Sequence, residues 1–222
     1  MKIKRLVVVA GPTSAGKSTF IRKMLSNNMP KLAERLGVEN FTGWETTDTG
    51  ATSRRIYDKE IIDGLIFHYD FLRPFGRSAK THDRDVALHI LGQADEVSFI
   101  TLYVDSNGLK SQIIDGEFYG KGKGLKERIW AIGKEAFKLS LKDLIRNLFD
   151  LKSVFGLVLT GASSRHRQIL KKYEDPKEVI RLYRWWLDYL DRDDIKSEHN
   201  IIIDPRCDRI FSSRTELEES WR

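Results

Sequence analysis

The sequence predicts an α/β fold of three layers, in which helices cover both faces of a mainly parallel sheet of about five strands. Apolar runs of strand length alternate along the chain with longer segments of helical period, which is the pattern of β-α-β units. The first of these runs is apolar at every position, as in strands that are buried on both faces. The runs assigned to strands are Leu6–Ala10, Leu65–Tyr69, Val97–Val104, Val154–Leu159 and Ile201–Ile203.

Between these runs, the apolar residues recur with a helical period. The clearest helix follows the favourable N-cap residue Asp175, with Pro176 at the first helical position and Glu178 three residues after the cap. Its paired tryptophans, Trp185 and Trp186, could stack on a base, but aromatic residues at helical spacing usually face a core, and we expect core packing for them. The other predicted helices are Ser18–Leu25, Thr52–Ile62, Arg84–Leu91 and the lysine-rich segment Leu125–Phe149.

The composition suits one soluble globular domain. Of the 222 residues, 41% are hydrophobic and 32% are charged, which is ordinary for such proteins. We therefore predict a single domain over residues 1–222, with a helical lid or insertion at about residues 115–175. The formal net charge of +6 fits an anionic partner such as a nucleotide, a phosphorylated metabolite or nucleic acid. It fits a moderately basic solvated surface equally well.

The cysteine content and the lengths of the apolar runs indicate the cellular compartment in which the protein acts. Cys207 is the single cysteine of the sequence, so neither an internal disulfide nor a cysteine-based zinc site can form. The apolar run Leu6–Ala10 is shorter than the apolar region of a signal peptide, and no stretch approaches the roughly 18 apolar residues of a membrane span. We expect a soluble, cytoplasmic protein without a membrane span.

The stretch "GPTSAGKS", which begins at Gly11, fits the pattern G-x-x-x-x-G-K-[ST] of a phosphate-binding loop. It follows an apolar strand-like run and opens a helix-like one, as that motif requires. Gly11 and Gly16 let the backbone fold back and bring its N–H groups to phosphate oxygens. The residues predicted to contact the nucleotide are Gly11, Pro12, Thr13, Ser14, Ala15, Gly16, Lys17, Ser18 and Thr19.

Lysine and serine at the end of this motif have chemical roles that a purely structural turn would not need. Lys17 can bridge the β- and γ-phosphates as a point charge. The Ser18 hydroxyl can bind Mg²⁺. The positive end of the helix that follows adds to the attraction for anions.

The segment "GPTSAGKSTF" resembles the Walker A motif of the P-loop NTPases. The resemblance is specific over about twenty residues and is architectural over the rest of the chain. Its form is similar to that of the kinase branch, which includes guanylate and other nucleoside-monophosphate kinases. The resemblance implies a P-loop NTPase fold, ATP as the nucleotide and Mg²⁺ as the metal.

The segment "LIFHYDFLRP" supplies the acid that phosphoryl transfer needs. Asp70 ends an apolar run, and parallel sheets bind ligands at the carboxyl ends of their strands. We therefore predict Asp70 as a catalytic residue and, with Ser18, as a metal ligand. Arg73 is predicted to hold an anionic group of the acceptor or the transferring phosphate. His68 shares the Asp70 side of the strand, and we expect a buried, hydrogen-bonded histidine there.

This segment is similar to the strand–Asp–loop–Arg element of adenylate-type kinases. It departs from that element in two ways, because the family places its arginine one residue later and has glycine after the aspartate. A later segment, "ADEVSFITLYVDSNGLKSQI", resembles a strand of nucleoside-monophosphate kinases, which usually carry an arginine near the position of Gln112. We expect Asp105 in this segment to be structural. The departures leave the identity of the acceptor open.

Other charged segments offer alternative site residues. Asp48, in "WETTDTGATSRR", is the alternative base to Asp70, although helix capping by Thr49 or Thr52 explains the same stretch. The glycine-rich segment Glu117–Arg128 is either a flap over the phosphates or a solvated loop. The arginines that could clamp the transferring phosphate are Arg128, Arg165 and Arg167.

These patterns together predict an ATP-dependent, Mg²⁺-requiring kinase that moves the γ-phosphoryl group to a small-molecule acceptor. The acceptor is a nucleoside monophosphate, a sugar or another hydroxyl compound. A P-loop NTPase that only hydrolyses its nucleotide is the first alternative, and a sulfotransferase-type enzyme with another nucleotide donor is the second. Lys17 and Ser18 argue against the latter class, which usually lacks the full loop. Nucleic acid remains open as a partner on charge alone.

Overall fold

The computed structural model describes residues 1–48, 60–70, 89–113 and 164–221, which form an α/β fold around one mostly parallel sheet. The described strands are β1 (Lys2–Gly11), β2 (Glu45–Asp48), β3 (Ile61–Asp70), β4 (Ala94–Leu102), β5 (His199–Asp204) and β6 (Arg209–Phe211). The described helices are α1 (Lys17–Leu25), α2 (Pro30–Arg35), α3 (Ser106–Ile113), α4 (Ser164–Tyr173), α5 (Pro176–Leu190) and α6 (Arg214–Glu219). The coarse α/β prediction with a mainly parallel sheet is confirmed.

The strands lie in the order β2-β3-β1-β4-β5-β6, and only the β5–β6 pair is antiparallel. The chain divides into two compact units, one of residues Met1–Val104 with Ile180–Arg222 and one of residues Asp105–Val179. The sheet belongs to the first unit. The second contains α3 and α4, where the buried hydroxyl of Ser106 donates a hydrogen bond to the backbone carbonyl of Tyr173.

β1 is the central strand because its sequence suits burial on both faces. The stretch from Leu6 to Ala10 has no residue more than 3% exposed. Its valines are β-branched and fit a pleated surface that is covered on both sides. β3 pairs with one edge of β1 and β4 with the other. The carboxyl ends of all three strands therefore lie at one edge of the sheet.

The predicted strands are found with some differences in extent. The runs in β1, β3, β4 and β5 are confirmed, whereas Val154–Leu159 lies outside the described residues. The prediction of a helix over Thr52–Ile62 is wrong at its end, because Ile61 and Ile62 begin β3 by pairing with Lys2 and Ile3 of β1. The short strands β2 and β6 were not predicted, since three or four residues with polar ends lack a strand pattern.

α5 packs Trp186 on the sheet, as its sequence period predicts, whereas Trp185 is 36% exposed, which corrects the expectation of core packing for that residue. Trp186 is 1% exposed, and its indole N–H donates a 2.8 Å hydrogen bond to Oγ1 of Thr101 in β4. Its ring centroid lies 6.0 Å from that of Phe99 and 5.4 Å from that of Tyr69. This aromatic cluster holds α5 against the face of the sheet that carries Phe99 and Thr101.

Tyr183, one turn earlier in α5, contacts the carboxyl end of β4. Its buried hydroxyl accepts a 2.9 Å hydrogen bond from the N–H of Val104 and donates a 2.8 Å bond to the carbonyl of Leu102. Burial raises the pKa of this phenol well above its ordinary value, so it stays protonated. The phenol thus provides partners for backbone groups at the point where β4 ends.

Glycine in β3 allows an aromatic side chain to lie against the strand. A Cβ atom on Gly64 would lie 2.3 Å from Cδ2 of Trp44, which is closer than real Cβ atoms approach other atoms. The Trp44 ring also meets the ring of Phe41 edge to face, with 5.3 Å between centroids. Trp44 directly precedes β2, so this contact places the start of β2 beside β3.

Tyr183→Phe is expected to lower the free energy of unfolding by about 1–3 kcal/mol, because two buried backbone groups lose a hydrogen-bond partner. The change removes one oxygen atom and leaves the aromatic packing intact. Urea unfolding followed by circular dichroism measures the effect. An unfolding midpoint equal to that of the wild type would show that the phenol bonds contribute nothing net.

Gly64→Ala is expected to lower the free energy of unfolding by about 1–3 kcal/mol, because the indole of Trp44 must shift to admit the methyl group. Gly92→Ala is the matched control, since a Cβ atom at Gly92 would have no neighbour within 4 Å. Gly92→Ala is expected to leave the free energy of unfolding equal to that of the wild type or slightly higher. Equal destabilisation of both variants in urea would contradict a steric origin.

Candidate functional site

The segment between β1 and α1 folds back on itself as a tight loop. Ser14 and Gly16 have positive φ angles of 68° and 82°, and the N–H of Ala15 donates to the carbonyl of Pro12 at 3.1 Å. A Cβ atom on Gly11 would lie 3.1 Å from Cβ of Ala15, so glycine allows the close approach of the loop to the end of β1. The predicted arrangement of strand, loop and helix is confirmed here.

The amino end of α1 faces this loop without a side-chain cap. Gly16 is the N-cap residue, so the cap position has no side chain that could accept a hydrogen bond from the first turn. The first N–H groups of a helix lack carbonyl partners within it and carry partial positive charge. Ser18 and Thr19 are exposed in this turn, where Oγ1 of Thr19 accepts a 3.2 Å bond from Arg22. The arrangement suits an anion.

Lys17 is buried against the loop that it follows. Its side chain is 4% exposed, and its ammonium donates to the carbonyls of Gly11 at 2.9 Å and Pro12 at 2.6 Å. The same nitrogen lies 3.6 Å from Oδ2 of Asp70. A buried ammonium needs such partners because desolvation of a charge is costly. Two carbonyls and one carboxylate therefore hold Lys17 at the mouth of the loop.

Asp70 reaches the loop from the carboxyl end of β3. It is the register partner of Gly11, so the parallel pairing sets its backbone beside the start of the loop. Its side chain is 11% exposed, and its Oδ2 accepts a 2.8 Å hydrogen bond from Oγ1 of Thr13. The Thr13 hydroxyl and the Lys17 ammonium thus both approach Oδ2 of Asp70. The position of Asp70 at this edge of the sheet was predicted from the sequence, whereas its contact with Thr13 was not.

Asp48 ends β2 at the same edge of the sheet. It is the register partner of His68, which precedes Asp70 by two residues in β3. Paired residues of parallel strands lie on one face, and alternate residues of a strand share that face. Asp48, His68 and Asp70 therefore share a face. His68 is half-buried rather than buried, which corrects the expectation for that residue.

A further charged cluster lies at this edge, in the turn between β5 and β6. The guanidinium of Arg206 donates to both carboxylate oxygens of Asp204, at 3.0 and 2.7 Å. Burial acts to raise the pKa of Asp204, but the hydrogen bonds and charge of Arg206 hold it below its ordinary value. Lys23 of α1 lies 3.2 Å from Oδ1 of Asp208 in the same turn. The Lys23–Asp208 pair ties the turn to α1, and neither pair was predicted from the sequence.

Several predicted site residues lie outside the described part of the chain. Arg73 and Arg128 are among them, as is the rest of the glycine-rich segment Glu117–Arg128. Arg165 and Arg167 belong to α4, but their side chains fall outside the described set. The predicted roles of these arginines stay predictions. The side chains that the structure brings together are Thr13, Lys17 and Asp70.

A separate cavity of about 180 Å³ lies near the amino ends of the strands. Its lining includes Trp44 and Ser98, but no residue of the phosphate-loop motif and not Asp70. Arg5 also lines this cavity and bonds to the carboxylate of Glu96 at 2.9 Å and to the carbonyl of Gly37 at 3.0 Å. Arg5 and Glu96 thus partner each other, and we assign the cavity no role in the candidate site.

The groups around the loop are of the kinds that would hold a phosphate and Mg²⁺. The amino end of α1 and the ammonium of Lys17 would provide donors and positive charge for phosphate oxygens. The Ser18 hydroxyl and the Asp70 carboxylate are hard oxygen ligands of the kind that Mg²⁺ prefers. Within the described ranges, no group of three or more His, Cys, Asp or Glu residues is arranged to hold a metal ion.

A scan against models of protein families matched none of them, and a search of the curated proteins found no match. Among the described helices, none has the length and apolar character needed to cross a membrane.

Proposed function

We propose that this protein is an ATP-dependent phosphotransferase of the P-loop kinase type, which moves the γ-phosphoryl group to a small-molecule hydroxyl. The observation that carries the proposal is the convergence of a buried lysine and a carboxylate on the loop between β1 and α1. Lys17 lies 3.6 Å from Oδ2 of Asp70, and both side chains are nearly buried. A loop that only connected a strand to a helix would have no need of this buried charge pair.

The proposed binding mode uses groups that already face the loop. The N–H groups at the start of α1 bind the phosphate oxygens, and the helix end adds its positive potential. Lys17 exchanges its bonds to the carbonyls of Gly11 and Pro12 for bonds to the β- and γ-phosphates. Charged phosphate oxygens are stronger acceptors than neutral carbonyls, so this exchange favours the bound nucleotide.

In the proposed reaction, an acceptor oxygen forms a bond to the γ-phosphorus and ADP leaves. The acceptor's proton passes to Asp70 or to water that Asp70 orients. Ser18 and Asp70 would hold Mg²⁺, which neutralises negative charge that develops on the phosphate oxygens. Asp70 is preferred over Asp48 as the acid group, because its carboxylate contacts both Thr13 and Lys17 of the loop.

The arrangement of elements around the sheet supports the proposed three-layer P-loop fold. The Cβ direction of Gly11 points to Ala15, so the loop covers the sheet face that carries Gly11 and Asp70. α5 packs on the other face, through the contact of Trp186 with Thr101. The single cysteine, Cys207, is a free thiol, which suits the reducing cytoplasm that we propose as the site of action.

The acceptor is proposed by chemical class alone. A nucleoside monophosphate, a sugar or another hydroxyl compound would each offer the oxygen that the reaction needs. The first experiment is consumption of Mg²⁺·ATP with and without pools of these acceptors, followed by mass spectrometry of the acceptors. A gain of one phosphoryl group on one acceptor supports the kinase. Release of free phosphate that no acceptor changes would favour the hydrolysing NTPase instead.

Lys17→Ala is expected to lower turnover by at least about 10²-fold, because the transferring phosphate loses its nearest cation. Steady-state kinetics measures the loss, and circular dichroism checks the fold. Lys23→Ala is the matched control, since this lysine of the same helix is exposed and pairs with Asp208. Turnover in Lys17→Ala equal to that in Lys23→Ala would remove the loop from the mechanism.

Asp70→Asn is expected to lower kcat by about 10²–10⁴-fold while it changes ATP affinity far less, because the carboxylate acts on the reacting groups. Calorimetry with Mg²⁺·ATP and steady-state kinetics separate the two effects. Asp48→Asn is the comparison, because it neutralises the other acid on the same face of the sheet. A large loss of kcat in Asp48→Asn alone would assign the base to Asp48.

A further inference from the structure

We infer that Thr13 is the positioning residue for Asp70, so that the phosphate loop itself orients the acid of the reaction. This inference rests on the proposed function and gives Thr13 a different role from its neighbours in the loop. A phosphate loop binds its ligand through backbone N–H groups, for which the side chain at this position is not needed. The Thr13 hydroxyl donates to Asp70 instead.

The contact has the geometry of a strong hydrogen bond. Oγ1 of Thr13 lies 2.8 Å from Oδ2 of Asp70, within the usual range for a hydroxyl donor. An ionised acceptor makes such a bond stronger than one between neutral groups. Asp70 is 11% exposed, so solvent competes little for this oxygen. The bond joins residues that are 57 positions apart in the sequence.

The backbone alone does not orient the Asp70 carboxylate. The register with Gly11 sets where the Cα of Asp70 lies. It leaves the two side-chain torsions, and with them the plane of the carboxylate, to be set by contacts. A bond that holds Oδ2 restricts that plane and therefore the direction in which Oδ1 faces. Thr13 supplies such a bond from the loop.

Binding of phosphates would increase the importance of this contact. Lys17 lies 3.6 Å from the same oxygen, Oδ2, that accepts from Thr13. In the proposed reaction, the Lys17 ammonium turns to the phosphates, and its hold on the carboxylate weakens. The hydroxyl of Thr13 is neutral, so negatively charged phosphate oxygens attract it less strongly than they attract the Lys17 ammonium. The Thr13 bond therefore keeps the acid oriented while the lysine serves the donor.

A double-mutant cycle tests whether Thr13 acts through Asp70. The proteins compared are the wild type, Thr13→Val, Asp70→Asn and the double variant, with Thr13→Ser as the conservative replacement. We expect Thr13→Val to lower kcat by about 10–100-fold, with little change in the dissociation constant of Mg²⁺·ATP. Thr13→Ser, which keeps the hydroxyl, restores most of the activity. In the Asp70→Asn background, Thr13→Val causes no further loss.

Thr42→Val is the matched control for the removal of a threonine hydroxyl. Thr42 lies outside the loop, and its Oγ1 accepts a 2.8 Å bond from Asn27. Urea unfolding of each variant separates a loss of stability from a loss of orientation. A stability loss in Thr13→Val with unchanged kcat at saturating substrate would show a structural role and overturn the inference.

The remaining outcomes separate this inference from the proposed function. Thr13→Val could lower kcat by the same factor in the wild-type and Asp70→Asn backgrounds, or it could lower only the affinity for Mg²⁺·ATP. Either result would indicate that Thr13 contacts the phosphates and would overturn its role toward Asp70. If the wild type phosphorylates an acceptor and Thr13→Val does so with the same kcat, the inference is overturned but the proposed function is not. A wild-type protein that neither binds nor consumes Mg²⁺·ATP would overturn the proposed function, and the positioning role with it.

Discussion

The parallel pairing of β1 with β3 is the constraint on which the candidate site depends. It sets Gly11 opposite Asp70, so the residue that begins the loop and the acid lie side by side although 59 positions separate them. Each residue of slippage would move the acid by about 3.3 Å along the strand. A slip of one residue would also turn Asp70 to the other face of the sheet. The contacts with Thr13 and Lys17 exist only in this register.

This register buries charged side chains, whose desolvation costs free energy. Lys17 is 4% exposed, and the loop provides it with two carbonyls and a carboxylate. These partners make the buried ammonium tolerable, and in the proposed function they are also the groups that phosphate oxygens replace. The Thr13 bond keeps one oxygen of Asp70 attached to the loop through that exchange. Stability of the free loop and the proposed chemistry therefore depend on the same side chains.

The surrounding structure stabilises the sheet through contacts of different kinds. Tyr183 provides hydrogen-bond partners for the backbone at the end of β4. Trp44 packs on Gly64 and places β2 beside β3. Arg206 pairs with Asp204 after β5, and the turn that follows is joined to α1. Apart from the local Arg206–Asp204 pair, these contacts join segments distant in sequence, so tertiary packing holds the sheet and its surroundings together.

The sequence by itself determined the local features, namely the α/β class, the loop between β1 and α1, and the aromatic helix α5. Those depend on spacing and residue type over short distances, which a sequence displays directly. It also placed Asp70 at the end of a strand. Only the tertiary structure decided that the Asp70 carboxylate contacts the loop, where Thr13 donates a hydrogen bond to it. Strand order and register decide such contacts, and the residue pattern within one segment does not indicate which strands become neighbours.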